Sequence, residues 1–193
     1  MGTTDNFDSP AVSSVGLTDT FPVISAATGR AATATVTQLQ TALVAASLTP
    51  VNTTATSLSI TQATHGNKTI TINSAVPIAI TMPQATGTGT KYKFVLQVVA
   101  TATPHTIKVA NATDSFSGMY LSLTTTAATV IGFAAVDSAT TATRSDTMSF
   151  NGTTTGGAPG MTVELTDIKT GYFSVTAIDT CVSTTTTPFS AGV

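Results

Sequence analysis

Threonine is the feature that most constrains what this chain can fold into, because it supplies 45 of the 193 residues. Threonine is β-branched, so it loses side-chain freedom in a helix and fits the pleated surface of a strand. Its hydroxyl group also keeps a surface wettable without charge, and only 8% of the residues are charged. The composition therefore predicts a β-rich protein with a polar and nearly uncharged surface.

The charge balance argues against several classes of function. Seven basic and nine acidic residues give a net charge of −2, and the lysines are dispersed along the sequence, so we expect neither nucleic acid nor a membrane surface as a partner. The longest apolar run, residues 94–100, is too short to span a bilayer. The first residues lack the pattern of a secretory signal, and the single Cys181 cannot form an internal disulfide. We expect the chain to be made and assembled in a cytoplasm.

Large apolar side chains are thinly spread. Tryptophan is absent, and much of the 41% hydrophobic fraction is alanine. A monomer of this length would therefore bury a modest core. Self-association would remedy this shortage, so the composition favours a homo-oligomer.

The first 56 residues differ in pattern from the rest and are interpreted as an extended N-terminal arm. Phe21-Pro22-Val23-Ile24 is expected to be extended, because the residue before a proline avoids the helical region. A helix is predicted over about 35–46, where Thr35 and Gln38 form a capping box and apolar residues follow on one face.

From residue 57 the apolar pattern has a period of two and predicts a β-domain over 57–180. Tyr92, Phe94, Leu96 and Val98 form the strongest strand. Because Val95 and Val99 make its reverse face apolar as well, we expect it to be a central or interface strand. Pro77 is expected to place its strand at an edge or bulge, and residues 167–171 to form a hairpin turn. Short strands at this spacing predict an all-β fold, an antiparallel β-sandwich or jelly-roll-like domain. The tail, 181–193, shows no period of its own, and we expect it to drape over a neighbouring subunit or to lie loose.

Candidate chemical groups are few and isolated. His65 and His105 lie beside turn residues and are interpreted as surface or loop histidines. The aspartates are scattered singly, which does not match a metal site, and Glu164 is expected to face solvent. We therefore predict no catalytic residues, no metal, no cofactor and no enzymatic activity. A flat ice-binding solenoid is disfavoured because the Thr-x-Thr pairs have no fixed repeat.

Three segments carry a family resemblance: residues 60–96, 106–119 and 146–178. In order and spacing they resemble a β-domain common in structural proteins of tailed bacteriophages. The resemblance covers about two thirds of the chain and extends to the ending 187–191. The matching positions are Pro83, Gly87, Gly89, Tyr92, Ala110, Asn111, Asp114, Gly118, Asp146, Asn151, Gly152, Gly156, Gly157, Gly160, Asp167 and Gly171.

Residues 18–43 are similar to a segment near the N-terminus of phage tail-fibre and other virion surface proteins. The two resemblances imply a virion component. The first hypothesis is a capsid decoration protein (cement or head fibre) on the outer surface of the head, as a homotrimer that contacts the major capsid protein. The alternative is a tail-fibre or receptor-binding subunit. A hydrolase acting on host surface polymer is disfavoured, because no pair of acids or Ser/His site can be assembled.

The arm is expected to supply the contacts with the capsid or with a neighbouring subunit. Its apolar side chains are the candidates for this role, since interface anchors are buried apolar groups. The predicted partner-binding residues are Phe21, Val23, Ile24, Leu39 and Leu43.

Overall fold

The computed structural model describes residues 20–24, 31–100, 103–138, 140–181 and 186–193. Strands take up 48% of the residues and helices 10%, which confirms the predicted all-β class. The chain divides into two compact units, Met1–Leu48 (unit 1) and Thr49–Val193 (unit 2). The sequence predicts an arm that ends at residue 56, eight residues beyond the end of unit 1.

The described residues of unit 1, 20–24 and 31–48, form two paired strands and a helix. Strand β1 (Thr20–Ile24) pairs antiparallel with β2 (Ala31–Thr35), and helix α1 runs from Val36 to Leu48. The helix begins at the predicted capping box. The Gln38 N–H donates to the Thr35 hydroxyl at 3.1 Å, and the Thr35 N–H donates to the Gln38 side-chain oxygen at 2.9 Å. Two orphan backbone donors are thereby satisfied.

Unit 2 contains the remaining strands, a short helix and one 3-10 turn (Thr141–Thr143). The helix, α2 (Gln62–His65), was not predicted from the sequence. The strands are β3 (Val51–Thr53), β4 (Ser57–Ser59), β5 (Lys68–Ile72), β6 (Ala79–Thr81), β7 (Lys91–Leu96), β8 (His105–Lys108), β9 (Ser115–Thr124), β10 (Thr129–Ala135), β11 (Thr147–Phe150), β12 (Thr162–Lys169), β13 (Tyr172–Cys181) and β14 (Phe189–Ser190).

These strands form two sheets. The larger has the order β10-β9-β13-β12-β7-β5-β3, and the smaller has the order β14-β11-β8-β6-β4. The predicted antiparallel arrangement is wrong in part, because β3–β5, β5–β7, β4–β6, β6–β8 and β9–β13 pair in parallel. From β3 to β8 successive strands alternate between the two sheets. Neighbours within one sheet are therefore separated by a crossover, which makes them run in the same direction.

Both sheets contribute to one cluster of buried apolar side chains. Alternate residues of each strand point into it, as the period of two requires. Tyr92, Phe94 and Leu96 are buried, and β7 lies inside the large sheet between β5 and β12. The strand ends at Leu96, so Val98 lies beyond it. The hairpin predicted at 167–171 joins β12 to β13. Further core residues are Ile70, Ile72, Ile80, Ile107, Phe116, Tyr120, Met148, Phe150, Val163, Leu165, Phe173 and Val175.

Two local expectations are wrong. Pro77 does not place its strand at an edge, because β6 begins at Ala79 and pairs with both β4 and β8; the proline precedes the ladder and has no ladder hydrogen bond to donate. The tail is not without structure, because β14 pairs with β11 and Phe189 is buried in the core. Residues 182–185 of that tail lie outside the described part.

Candidate functional site

The structure places two of the predicted partner-binding side chains on an exposed surface. Leu39 is 38% exposed and Leu43 is 70% exposed, and they lie one turn apart on α1. Phe21, Val23 and Ile24 all belong to β1, in register with β2. Their side chains lie outside the described part of the chain.

The Asp167 carboxylate holds the Gly-rich turn that precedes β7. It accepts hydrogen bonds from the backbone N–H groups of Thr86 at 3.0 Å, Gly87 at 2.7 Å and Thr88 at 3.1 Å, and from the Thr88 hydroxyl at 2.8 Å. Burial by itself raises the pKa of the Asp167 carboxyl. The hydrogen bonds from Thr88, Gly87 and Thr86 outweigh burial and hold the pKa below its ordinary value of 3.8.

The Asp114 carboxylate also accepts hydrogen bonds that hold a turn in place. The Ala85 N–H donates to this carboxylate at 2.9 Å, and the Asn111 amide donates to the same oxygen at 3.2 Å. The Asn111 oxygen in turn accepts from the N–H of Thr113 at 2.9 Å. Asp114 therefore joins the segment after β8 to the loop after β6.

Asp146 fixes the C-terminal segment. Its carboxylate accepts from the N–H of Gly192 at 2.6 Å and of Val193 at 3.4 Å, and from the Thr147 hydroxyl at 2.9 Å. These bonds hold residues 192–193 beside the start of β11. Asp146 is one of the positions that match the phage β-domain in sequence, and the resemblance alone did not indicate what this residue does.

Asp179 ties the loop 151–160 to β13 and is a residue that the sequence analysis missed. Its carboxylate accepts from the Tyr120 hydroxyl at 2.7 Å and from the N–H groups of Gly157 at 2.8 Å and Ala158 at 3.3 Å. Burial, followed by the hydrogen bond to Asp179, raises the Tyr120 pKa far above its ordinary value. Gly156 has φ of 79° and packs against the Tyr120 hydroxyl, so a side chain there has no room.

Four buried carboxylates thus act as loop clamps: Asp114, Asp146, Asp167 and Asp179. All four are nearly inaccessible to solvent, and each accepts hydrogen bonds from donors of the chain itself. A general base needs a lone pair that a substrate can reach. The arrangement therefore positions loops and leaves no carboxylate of this group free for chemistry.

The histidine interpretation is wrong, because both histidines are buried. The His105 ring lies in the interior: the Ile78 N–H donates to Nδ1 at 3.1 Å, and Nε2 lies 3.1 Å from the Val98 carbonyl oxygen. Burial lowers the pKa of His105 and outweighs the hydrogen bonds with the backbone of Val98 and Ser74, which raise it. The His65 Nδ1 accepts from the Thr61 N–H at 3.0 Å and so helps to close α2. Nearby turn residues do not make these histidines exposed, because each ring forms hydrogen bonds with backbone groups.

Three lysines that are dispersed in sequence meet in space. Lys68, Lys91 and Lys93 line one surface depression of about 210 Å³ with Glu164, which is exposed as predicted. Glu164 pairs with the Lys91 ammonium at 3.4 Å. Lys91, Lys93 and Glu164 occupy adjacent positions on β7 and β12.

An exposed apolar surface lies on the other half of the large sheet. Met119, Leu121 and Leu123 point away from the core, while the opposite face of β9 buries Phe116 and Tyr120. In register, Val130 lies opposite Leu123, and Ile178 lies beside Leu121. We call these five exposed residues the outer apolar face: Met119, Leu121, Leu123, Val130 and Ile178.

Within the residues that the structure describes, no group of three His, Cys, Asp or Glu side chains could hold a metal ion. No helix among those residues is long and apolar enough to cross a membrane. Comparison with known proteins found no matching family model, curated protein or solved structure.

Proposed function

We propose that this chain is a structural protein of a tailed-bacteriophage virion, a capsid decoration protein bound to the outer surface of the head. The observation that carries the proposal is that residues of the family resemblance hold loops in place. Three of them, Asp114, Asp146 and Asp167, accept hydrogen bonds that fix loops. Asn151 accepts hydrogen bonds from the N–H groups of residues 153, 154 and 155. A motif made of loop-positioning residues favours architecture over catalysis.

The surface composition supports the same proposal. A β-domain rich in hydroxyl groups and poor in charge can pack closely among copies without mutual repulsion. We propose a sandwich-like domain that assembles as a homotrimer, needs no cofactor and contacts neither nucleic acid nor membrane. Its location would be the capsid surface after assembly in the host cytoplasm.

Attachment to the major capsid protein is assigned to unit 1. The apolar pair Leu39 and Leu43 is exposed on α1, and β1 carries the apolar residues Phe21, Val23 and Ile24. Apolar groups exposed in the free protein and buried in the complex are the usual source of binding energy at an interface.

A double variant tests this attachment. Leu39→Asp with Leu43→Asp should abolish binding to particles, because two carboxylates cannot be buried in an apolar contact. The matched control is Thr37→Asp with Thr41→Asp, which adds the same charge at the same spacing on the opposite side of α1. If the leucine variant still decorates particles as the control does, α1 is not the anchor.

The alternative is a tail-fibre or receptor-binding subunit. The observation that favours it is the similarity of residues 18–43 to the N-terminal segment of tail-fibre proteins. The two hypotheses differ in stoichiometry, because a decoration protein approaches the major capsid protein in number and a tail subunit is present in few copies. Quantitative protein analysis of purified particles separates them.

A further inference from the structure

We propose that the outer apolar face, together with the free edge of β10, binds a second copy of this chain. The proposal rests on the proposed function for its premise that copies assemble. It adds the surface through which they do so, which belongs to unit 2, whereas the α1 leucines belong to unit 1.

The first argument is the size of the face. Val130 is 67% exposed and Ile178 is 58% exposed, and Met119, Leu121 and Leu123 are exposed between them. Together they leave on the order of 400 Å² of apolar surface in water, the size of the largest and often functional apolar patch on a soluble protein. A stable interface buries about 800 Å² per partner, roughly twice this apolar area, so residues around the face would have to supply the remainder. The exposed threonines at 176 and 180 flank the face on β13 and would supply a polar rim.

The second argument is the edge beside the face. Strand β10 is the last strand of the large sheet, and among the described residues nothing pairs with its outer side. Natural edge strands are protected by lysine, proline or a bulge. Residues 129–135 contain no charged residue and no proline, and their register with β9 is unbroken. A neighbouring copy that covers the face would also shield this edge.

The third argument identifies the occupant. The outward positions of β10, β9 and β13 across the face carry no Lys, Arg, Asp or Glu. Copies of this surface can therefore meet around the axis of the proposed homotrimer without repulsion between like charges, whereas an unrelated partner is usually selected by complementary charge. The charged side chains that reach the surface of the same sheet lie on β5, β7 and β12 instead, where Lys68, Lys91, Lys93 and Glu164 line one depression. Asp179 of β13 is buried on the opposite side of the strand.

The test is the mass of the full-length protein in solution. Val130→Lys with Ile178→Lys places two charges on the face at its most exposed positions. The control is Val76→Lys with Ile168→Lys, which adds the same charge at residues of similar exposure, 54% and 50%, outside the face. Sedimentation equilibrium over a wide concentration range measures the dissociation constant of each protein. Circular dichroism and a thermal melt verify that each is folded.

We expect the wild type and the control to be oligomeric, and the dissociation constant of the Val130/Ile178 variant to rise at least about tenfold. A monomeric wild type would overturn the proposal, as would a Val130/Ile178 variant that assembles like the control. If the lysine variant does not fold, Val130→Thr with Ile178→Thr makes the same comparison with a smaller change. Failure here is distinct from failure of the proposed function, which is measured by the presence of the chain in particles.

Discussion

Replacing Asp167 by asparagine is expected to release the turn at residues 86–88 from β12. The asparagine oxygen can keep the bonds that one carboxylate oxygen accepts, but the new amide group faces donors. If it takes the place of Oδ2, it meets the Thr88 N–H at 3.1 Å and the Thr88 hydroxyl at 2.8 Å. Hydrogen bonds to a charged group contribute about 1.5–3 kcal/mol each, so we expect a loss of about 3 kcal/mol in the free energy of unfolding.

The measurement is urea unfolding of wild type, Asp167→Asn and a control, Glu164→Gln. Glu164 belongs to the same strand, but its ion pair with Lys91 is exposed, so the control should change stability by less than about 0.5 kcal/mol. In a thermal melt of the same proteins, the melting temperature of the Asp167 variant should lie about 6–12 °C below that of wild type for a chain of this length.

The pH dependence gives an independent check on the same clamp. The pKa of Asp167 is lowered on folding from its ordinary value of 3.8. Its contribution to stability is therefore complete above pH 3.8 and is lost as the pH falls through the lower pKa of the folded state. The difference between wild type and Asp167→Asn should shrink in that acid range. A variant as stable as wild type at neutral pH would refute the reasoning.

Two further outcomes follow from the buried groups. Tyr120→Phe should lower the free energy of unfolding by about 1–3 kcal/mol in a denaturant titration, because the Asp179 carboxylate loses its shortest hydrogen bond; an unchanged midpoint would contradict this role. Because burial lowers the pKa of His105 in the folded state, the unfolded chain binds that proton first, and stability should fall as the pH drops below about 6.5. His105→Gln should remove that dependence, and a variant that retains it would exclude His105 as the cause.

Local signals predicted the elements whose partners are near in sequence. The capping box of Thr35 and Gln38 gave the start of α1, and the turn 167–171 gave the β12–β13 hairpin. The period of two in the sequence predicted β7, because buried and outward-facing residues alternate along the whole strand.

Long-range features were beyond the reach of the pattern. Asp167 and the turn that it holds are about 80 residues apart in sequence. The parallel pairings depend on crossover connections, which the residue pattern of the strands does not reveal. In β9 both faces carry apolar residues, so alternation alone could not tell that Met119 and Leu121 point outwards while Tyr120 is buried. The lysine cluster was missed for the same reason, since Lys68 and Lys93 meet only through the pairing of β5 with β7.

The most direct test of the central claim is the number of copies of this chain in purified phage particles, measured by quantitative mass spectrometry against the major capsid protein. The proposal of a capsid decoration protein predicts an abundance approaching that of the capsid protein itself. A chain found in only a few copies per particle, or absent from particles altogether, would contradict it.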